Sequence, residues 1–97
     1  MNKIHEAWAR NGWTHREDGP AVISYWGNGK KSEEVWGYEG EFHRTNGPAI
    51  IEYDLHGNIV LEKYYINGER ITKRELEKYN TINNLLNKVH GKKKVNL

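Results

Sequence analysis

Between Glu6 and Ile71 apolar and polar positions alternate in short runs that never lengthen into a helical stripe. Ala21, Ile23 and Tyr25 point one way with Ser24 opposite, and Ala49, Ile51 and Tyr53 repeat the arrangement with Glu52 opposite. Glu34, Trp36 and Tyr38 share a face, as do Glu62, Tyr64 and Ile66. Period-two alternation marks half-buried strands. X-Gly pairs punctuate the runs at Asn11-Gly12, Asp18-Gly19, Asn28-Gly29, Glu39-Gly40, Asn46-Gly47, His56-Gly57 and Asn67-Gly68. Asn-Gly and Asp-Gly supply the positive φ that tight hairpins need. The pattern predicts a mainly β protein, an antiparallel meander over residues 6–71.

After Ile71 the period changes. Thr72-Lys73-Arg74-Glu75 has the form of a capping box. Leu76, Tyr79, Ile82, Leu86 and Val89 then recur at helical spacing, and Gly91 is a natural stop. A single helix near residues 73–90 is predicted, burying that stripe on the sheet and covering an otherwise open end.

The runs also return. His15-Arg16-Glu17-Asp18-Gly19-Pro20-Ala21-Val22-Ile23 reappears 28 residues later as His43-Arg44-Thr45-Asn46-Gly47-Pro48-Ala49-Ile50-Ile51. Three copies exist of a second frame: Glu6/Trp8/Gly12, Glu34/Trp36/Gly40 and Glu62/Tyr64/Gly68. A fixed period of this size means one supersecondary unit stacked on itself. The expected architecture is therefore a stack of ~28-residue β-repeats followed by one C-terminal helix. Trp8, Trp36 and Tyr64 should line one face as an aromatic ladder. Pro20 and Pro48 should mark strand entry, and Gly19 and Gly47 are expected to hold positive φ.

Ninety-seven residues read as a single domain, 1–97, comprising the repeats (6–71), the helix (72–91) and a basic tail (92–97). Only 36% of residues are hydrophobic, so the core must be thin. There is no cysteine, hence no disulfide, thiolate metal site or cysteine nucleophile. The lack of a long apolar run predicts a cytoplasmic protein with no membrane partner. Four of the 15 basic residues (Lys88, Lys92, Lys93, Lys94) lie near the C-terminus, leaving 11 against 13 acidic residues elsewhere. The repeat region thus lacks the clustered positive charge of a nucleic-acid binder.

The His-Arg-x-Asp/Asn-Gly-Pro-Ala element, carried by His15-Arg16 with Gly19-Pro20-Ala21 and by His43-Arg44 with Gly47-Pro48-Ala49, resembles short β-repeat proteins of bacteriophages. Those in turn look like the variant MORN (membrane occupation and recognition nexus) repeats of bacterial antitoxin-like proteins. The resemblance covers residues 6–71. It implies stacked hairpins, action through contact with other macromolecules, and residence in the host cytoplasm if phage-encoded. The period is longer than in MORN repeats proper, so lipid binding is not carried over.

Candidate chemistry is sparse. Equivalent side chains one period apart should lie roughly 10–14 Å from each other at ~4.8 Å per strand, whereas zinc ligands all lie within about 2 Å of the ion. His15 and His43 therefore do not form a joint metal site, and no cofactor is expected. Ser24, Ser32, Thr14 and Thr45 have no base with an orienting partner, so nucleophilic catalysis lacks support. Arg16 and Arg44 offer two readings. They form a row of phosphate-binding forks, or each stacks on a repeat aromatic while each His bonds a turn carbonyl. Trp13 and Trp26 stand where sister repeats carry Glu41 and Asp54, which marks them as exposed anchors, unless Trp13 covers the N-terminal end of the sheet in place of a missing repeat. The expected function is a small non-catalytic protein-binding module that modulates a host or phage protein, as inhibitors and antitoxins do. Its contact residues are Trp13, Trp26, Arg16, Arg44, His15 and His43. The alternative is a nucleic-acid-binding protein using Arg16/Arg44 and the lysine tail. A homodimer is compatible with an exposed sheet edge.

Overall fold

The computed structural model of the chain describes residues 5–89. In chain order the strands are β1 (His5–Ala7), β2 (Ala9–Arg10), β3 (Trp13–Thr14), β4 (Val22–Tyr25), β5 (Lys31–Val35), β6 (Gly37–Tyr38), β7 (Glu41–Phe42), β8 (Ile50–Tyr53), β9 (Ile59–Ile66) and β10 (Glu69–Ile71). One helix, α1 (Lys73–Val89), follows. The main sheet is antiparallel with strand order β1-β4-β5-β8-β9-β10, and β2-β3 and β6-β7 form separate small hairpins. The first unit supplies β1–β4 and the second β5–β8. The third supplies β9 and β10 and then turns into α1.

The repeat is exact at the level of backbone hydrogen bonds. Trp8 N–H donates to Ala21 C=O (2.8 Å) as Trp36 N–H does to Ala49 C=O (2.7 Å). Ala21 N–H reaches Val35 C=O (2.7 Å) and Ala49 N–H reaches Lys63 C=O (2.9 Å). Across the sheet, Glu6, Ile23, Glu34, Ile51 and Glu62 stand opposite one another in a single row. Ile23, Glu34 and Ile51 are buried. With Ala21, Ala49, Ile50 and Leu76 they make up most of a small core. The molecule is only 20 Å through its thinnest direction, so half-burial is the rule for the rest.

The hairpin tips form as their sequence requires. Asn11-Gly12, Glu39-Gly40 and Asn67-Gly68 all have positive φ at both residues, the conformation of two-residue turns that match strand twist. Gly19 and Gly47 correct the expectation, for neither is among the positive-φ glycines. Space is the constraint there. A β-carbon on Gly19 or Gly47 would stand 2.9 Å from the guanidinium carbon of Arg16 or Arg44.

The capping box closes as expected, Thr72 N–H on Glu75 Oε1 (2.9 Å) and Glu75 N–H on Thr72 Oγ1 (3.1 Å). Leu76 is buried and Tyr79 and Leu86 are half-buried. Ile82 is not, at 52% exposure, which overturns its expected burial. Two successive steps of three from Leu76 leave residue 82 about 120° behind on a helix of 3.6 residues per turn. The less exposed positions include Asn80, Asn83 and Asn87. Asn80 Nδ2 donates to Thr45 C=O (2.7 Å), which sets the rotation of the helix. The Val89 side chain, Gly91 and the lysine tail lie outside the described residues. Among the described residues no helix is long and apolar enough to cross a membrane.

Candidate functional site

The repeated corner between β3 and β4, and again between β7 and β8, uses its conserved-looking pair for construction. The guanidinium of Arg16 stacks 4.0 Å from the Trp8 ring centre, and that of Arg44 stacks 3.8 Å from Trp36. Arg16 Nε donates to Asp18 (3.2 Å) and Nη1 to Pro20 C=O (3.2 Å). Arg44 copies both bonds, to Asn46 (2.8 Å) and Pro48 C=O (3.1 Å). Planar forks that face an aromatic ring and the chain's own carbonyls are closing a loop.

The histidines stitch units together. Glu39 N–H donates to His15 Nδ1 (3.0 Å), and Asn67 N–H donates to His43 Nδ1 (3.0 Å). Each imidazole therefore accepts from a turn amide of the next unit, where a bond to a turn carbonyl was expected. This holds Nδ1 unprotonated. Tyr38 lies between the two, 4.5 Å from His15 and 6.0 Å from His43 by ring centres. Among the described residues no group of three His, Asp or Glu side chains converges as metal ligands would.

Electrostatics belong to the same framework. Burial pushes the Glu34 carboxyl up, but hydrogen bonds from Lys31 Nζ (2.8 Å) and Tyr53 OH (2.7 Å) outweigh it and hold the group below its ordinary range. Burial, then the bond to Glu34, pushes Tyr53 up to about 12. Burial lowers His43, with Glu41 opposing. These shifts follow from structural pairing.

The two singled-out tryptophans differ. Trp13 is 60% exposed, and its ring lies directly over Gly40 of the next unit's turn. Glu41, its equivalent, covers Gly68 in the same way. Trp26 is half-buried, with its indole N–H on Asp54 C=O (3.1 Å), and Asn28 Nδ2 on Leu55 C=O (3.0 Å) lies beside it. The β4–β5 loop thus braces the β8–β9 loop.

In the sheet region the exposed large apolar side chains are Trp13, Tyr38, Phe42, Leu55, Ile59 and Val60. One period away those positions carry Glu41, Arg10, Thr14, Gly27, Lys31 and Ser32. Each of these large exposed apolar residues thus stands where one sister unit is polar or has no side chain, although Ile66 matches Tyr38 in the third unit. The sequence reading missed Leu55, Ile59 and Val60, although the same unit-by-unit comparison that selected Trp13 would have found them.

Comparison of the chain with protein-family models, curated proteins and solved structures finds no match. Function therefore has to be read from this surface.

Proposed function

We propose that the protein is a non-catalytic module that binds another protein and modulates it, in the manner of an inhibitor or antitoxin. The observation that carries this is the segregation just described. Shared residues are spent on internal bonds, and the large exposed apolar side chains of the described sheet stand where one sister unit is polar or has no side chain. Isolated exposed apolar residues are ordinary on protein surfaces, but a set confined to the non-repeating positions of a repeat is what a contact surface looks like. A nucleic-acid role loses its best residues, since Arg16 and Arg44 are occupied within their own corners.

The test is affinity capture from cell extract on the immobilised full chain, followed by titration of the captured protein. Trp13→Ala should weaken binding about tenfold or more, roughly 1.4 kcal/mol or above, while leaving the circular dichroism spectrum unchanged. Salt-sensitive oligonucleotide binding that survives Trp13→Ala and vanishes on removal of residues 92–97 would overturn the proposal.

A further inference from the structure

The third unit is built like the first two up to Ile71, but among the described residues no strand follows it. In the first unit Glu6 accepts the Tyr25 hydroxyl at 2.7 Å, and in the second Glu34 accepts the Tyr53 hydroxyl at 2.7 Å. Each tyrosine comes from the strand lying on the outer side of its glutamate's strand, two residues beyond the isoleucine opposite that glutamate. Glu62 is the third such glutamate, opposite Ile51 on its inner side. On the outer side β10 pairs only with Tyr64, Tyr65 and Ile66. Among the described residues no strand pairs with Ile59 to Lys63 on this side, although α1 packs against part of β9. Thr81, one period after Tyr53, cannot fill the place, because it lies in α1 with its hydroxyl on Glu77 C=O (2.9 Å).

The side chains along this edge differ from those of β5. Natural sheets blunt open edges with lysine and other polar residues. Lys63 does so in place of Val35, whereas Ile59 and Val60, 53% and 61% exposed, stand one period after Lys31 and Ser32, a pair that β8 leaves uncovered in the second unit as well. Leu55, in the adjoining loop, replaces Gly27 and is exposed as well.

We infer that the open edge of β9, Ile59–Lys63, is a strand-addition site for an extended segment of a partner protein with an aliphatic-x-tyrosine pattern. The segment pairs antiparallel, sets its aliphatic residue opposite Glu62, and donates its tyrosine hydroxyl to the Glu62 carboxylate. The two occupied edges in the same molecule define this chemistry. Residues two apart on a strand direct their backbone groups to the same side. Trp8 and Trp36 donate outward in the complete units, so Glu62, two residues before the equivalent Tyr64, offers its amide and carbonyl to the incoming strand, while Val60 stands at the β-bulge where the alternation breaks. Main-chain bonding supplies the hold, Glu62 supplies the selectivity, and Val60 borders the site. A second copy of this chain is a poorer occupant, because its Val22–Tyr25 and Ile50–Tyr53 strands are already paired on both sides.

The inference deepens the protein-binding proposal and rests on it. The probe is a synthetic peptide with the sequence of residues 47–54, titrated into the full chain and followed by backbone amide NMR. Saturable shifts confined to β9 and the β8–β9 loop are expected. Tyr53→Phe in the peptide should weaken binding about fivefold or more. Glu62→Gln in the protein should weaken the tyrosine peptide but not the phenylalanine one, and Val60→Lys should abolish binding of both. Both variants are at exposed positions and should leave the remaining amide spectrum in place. Absence of binding would overturn the inference, as would binding indifferent to Glu62 and Val60. A dimer in sedimentation that Val60→Lys dissociates would give the edge to a second copy and overturn it equally. Loss of capture by Trp13→Ala alongside a silent peptide would leave the protein-binding proposal standing and remove only this site.

Discussion

The second and third units share a backbone as far as residue 71 and then part. In the second, His43 clamps the turn that follows and Arg44 folds back over Trp36. In the third, the equivalent positions are Ile71 and Thr72. Isoleucine has no lone pair for a fourth unit's turn amide. Threonine cannot span a ring, but it accepts the Glu75 amide and starts a helix. The whole element of residues 43–49 is replaced in the third unit, and the changes at Ile71 and Thr72 remove the clamp and supply a helix cap in its place. The cost of stopping is an edge without a neighbour. Glu34 is buried and receives two donors, whereas Glu62 is exposed.

If the helix does the work of the missing corner, its removal should have the largest effect. Leu76 is buried and Tyr79 and Leu86 are half-buried, so truncation after Ile71 should destabilise by on the order of 4 kcal/mol. Urea unfolding followed by tryptophan fluorescence would register this. A midpoint unchanged by truncation would mean that the third unit is stable without a cover, and the contrast between the units would fall.

Arg44→Ala comes next, at about 2 kcal/mol, because it removes the stack on Trp36 and leaves Pro48 C=O without its donor. Arg44→Lys should recover little of the loss, since a point charge cannot stack and fork together. Arg16→Ala should cost less, because its Asp18 bond is longer, at 3.2 Å against 2.8 Å for the Asn46 bond of Arg44. Equal losses at the two sites would show that an inner and an outer corner carry the same load.

Gly47→Ala should destabilise by about 1 kcal/mol, through collision with the Arg44 guanidinium. The mechanism is separable from backbone strain. In an Arg44→Ala background the same change should be close to neutral, a coupling above about 0.5 kcal/mol in a double-mutant cycle. A loss that persists without the arginine would mean that the backbone itself demands glycine.

The fold was largely legible because the repeat writes its constraints twice. The strands, the hairpin turns at Asn11-Gly12 and Asn67-Gly68, and the Thr72 cap all follow from local chemistry. The helix rotation was less legible. An apolar spacing admits more than one face, and a single bond from Asn80 to Thr45 C=O chooses among them. Trp26 was opaque for a similar reason. Its partner is a backbone carbonyl, which no sequence pattern displays. Asp54, the equivalent residue, caps its own loop by accepting the His56 and Asn58 amides, and so leaves its carbonyl to be shared. Ile59 and Val60 read as ordinary strand residues until the missing neighbour beside them is known.

The smallest effect concerns pH and separates the clamped second unit from the unclamped third. His43 must keep Nδ1 unprotonated to accept the Asn67 amide, and burial lowers its pKa below the ordinary value. A histidine with a depressed folded-state pKa is more readily protonated when unfolded, so its contribution is full above about pH 6.5 and declines as pH falls below that. His43→Gln offers an amide oxygen to the same turn without titrating. The stability difference between the wild-type protein and this variant should therefore shrink, or change sign, between pH 7.5 and pH 5.5. Glu34 and Asp54, whose pKa values are lowered, add their own losses only at more acidic pH. The difference curve thus isolates the imidazole. A difference that stays flat across this range would show that the bond between the units does not depend on the protonation state of His43, and that the stitching of the second unit to the third lies in backbone pairing alone.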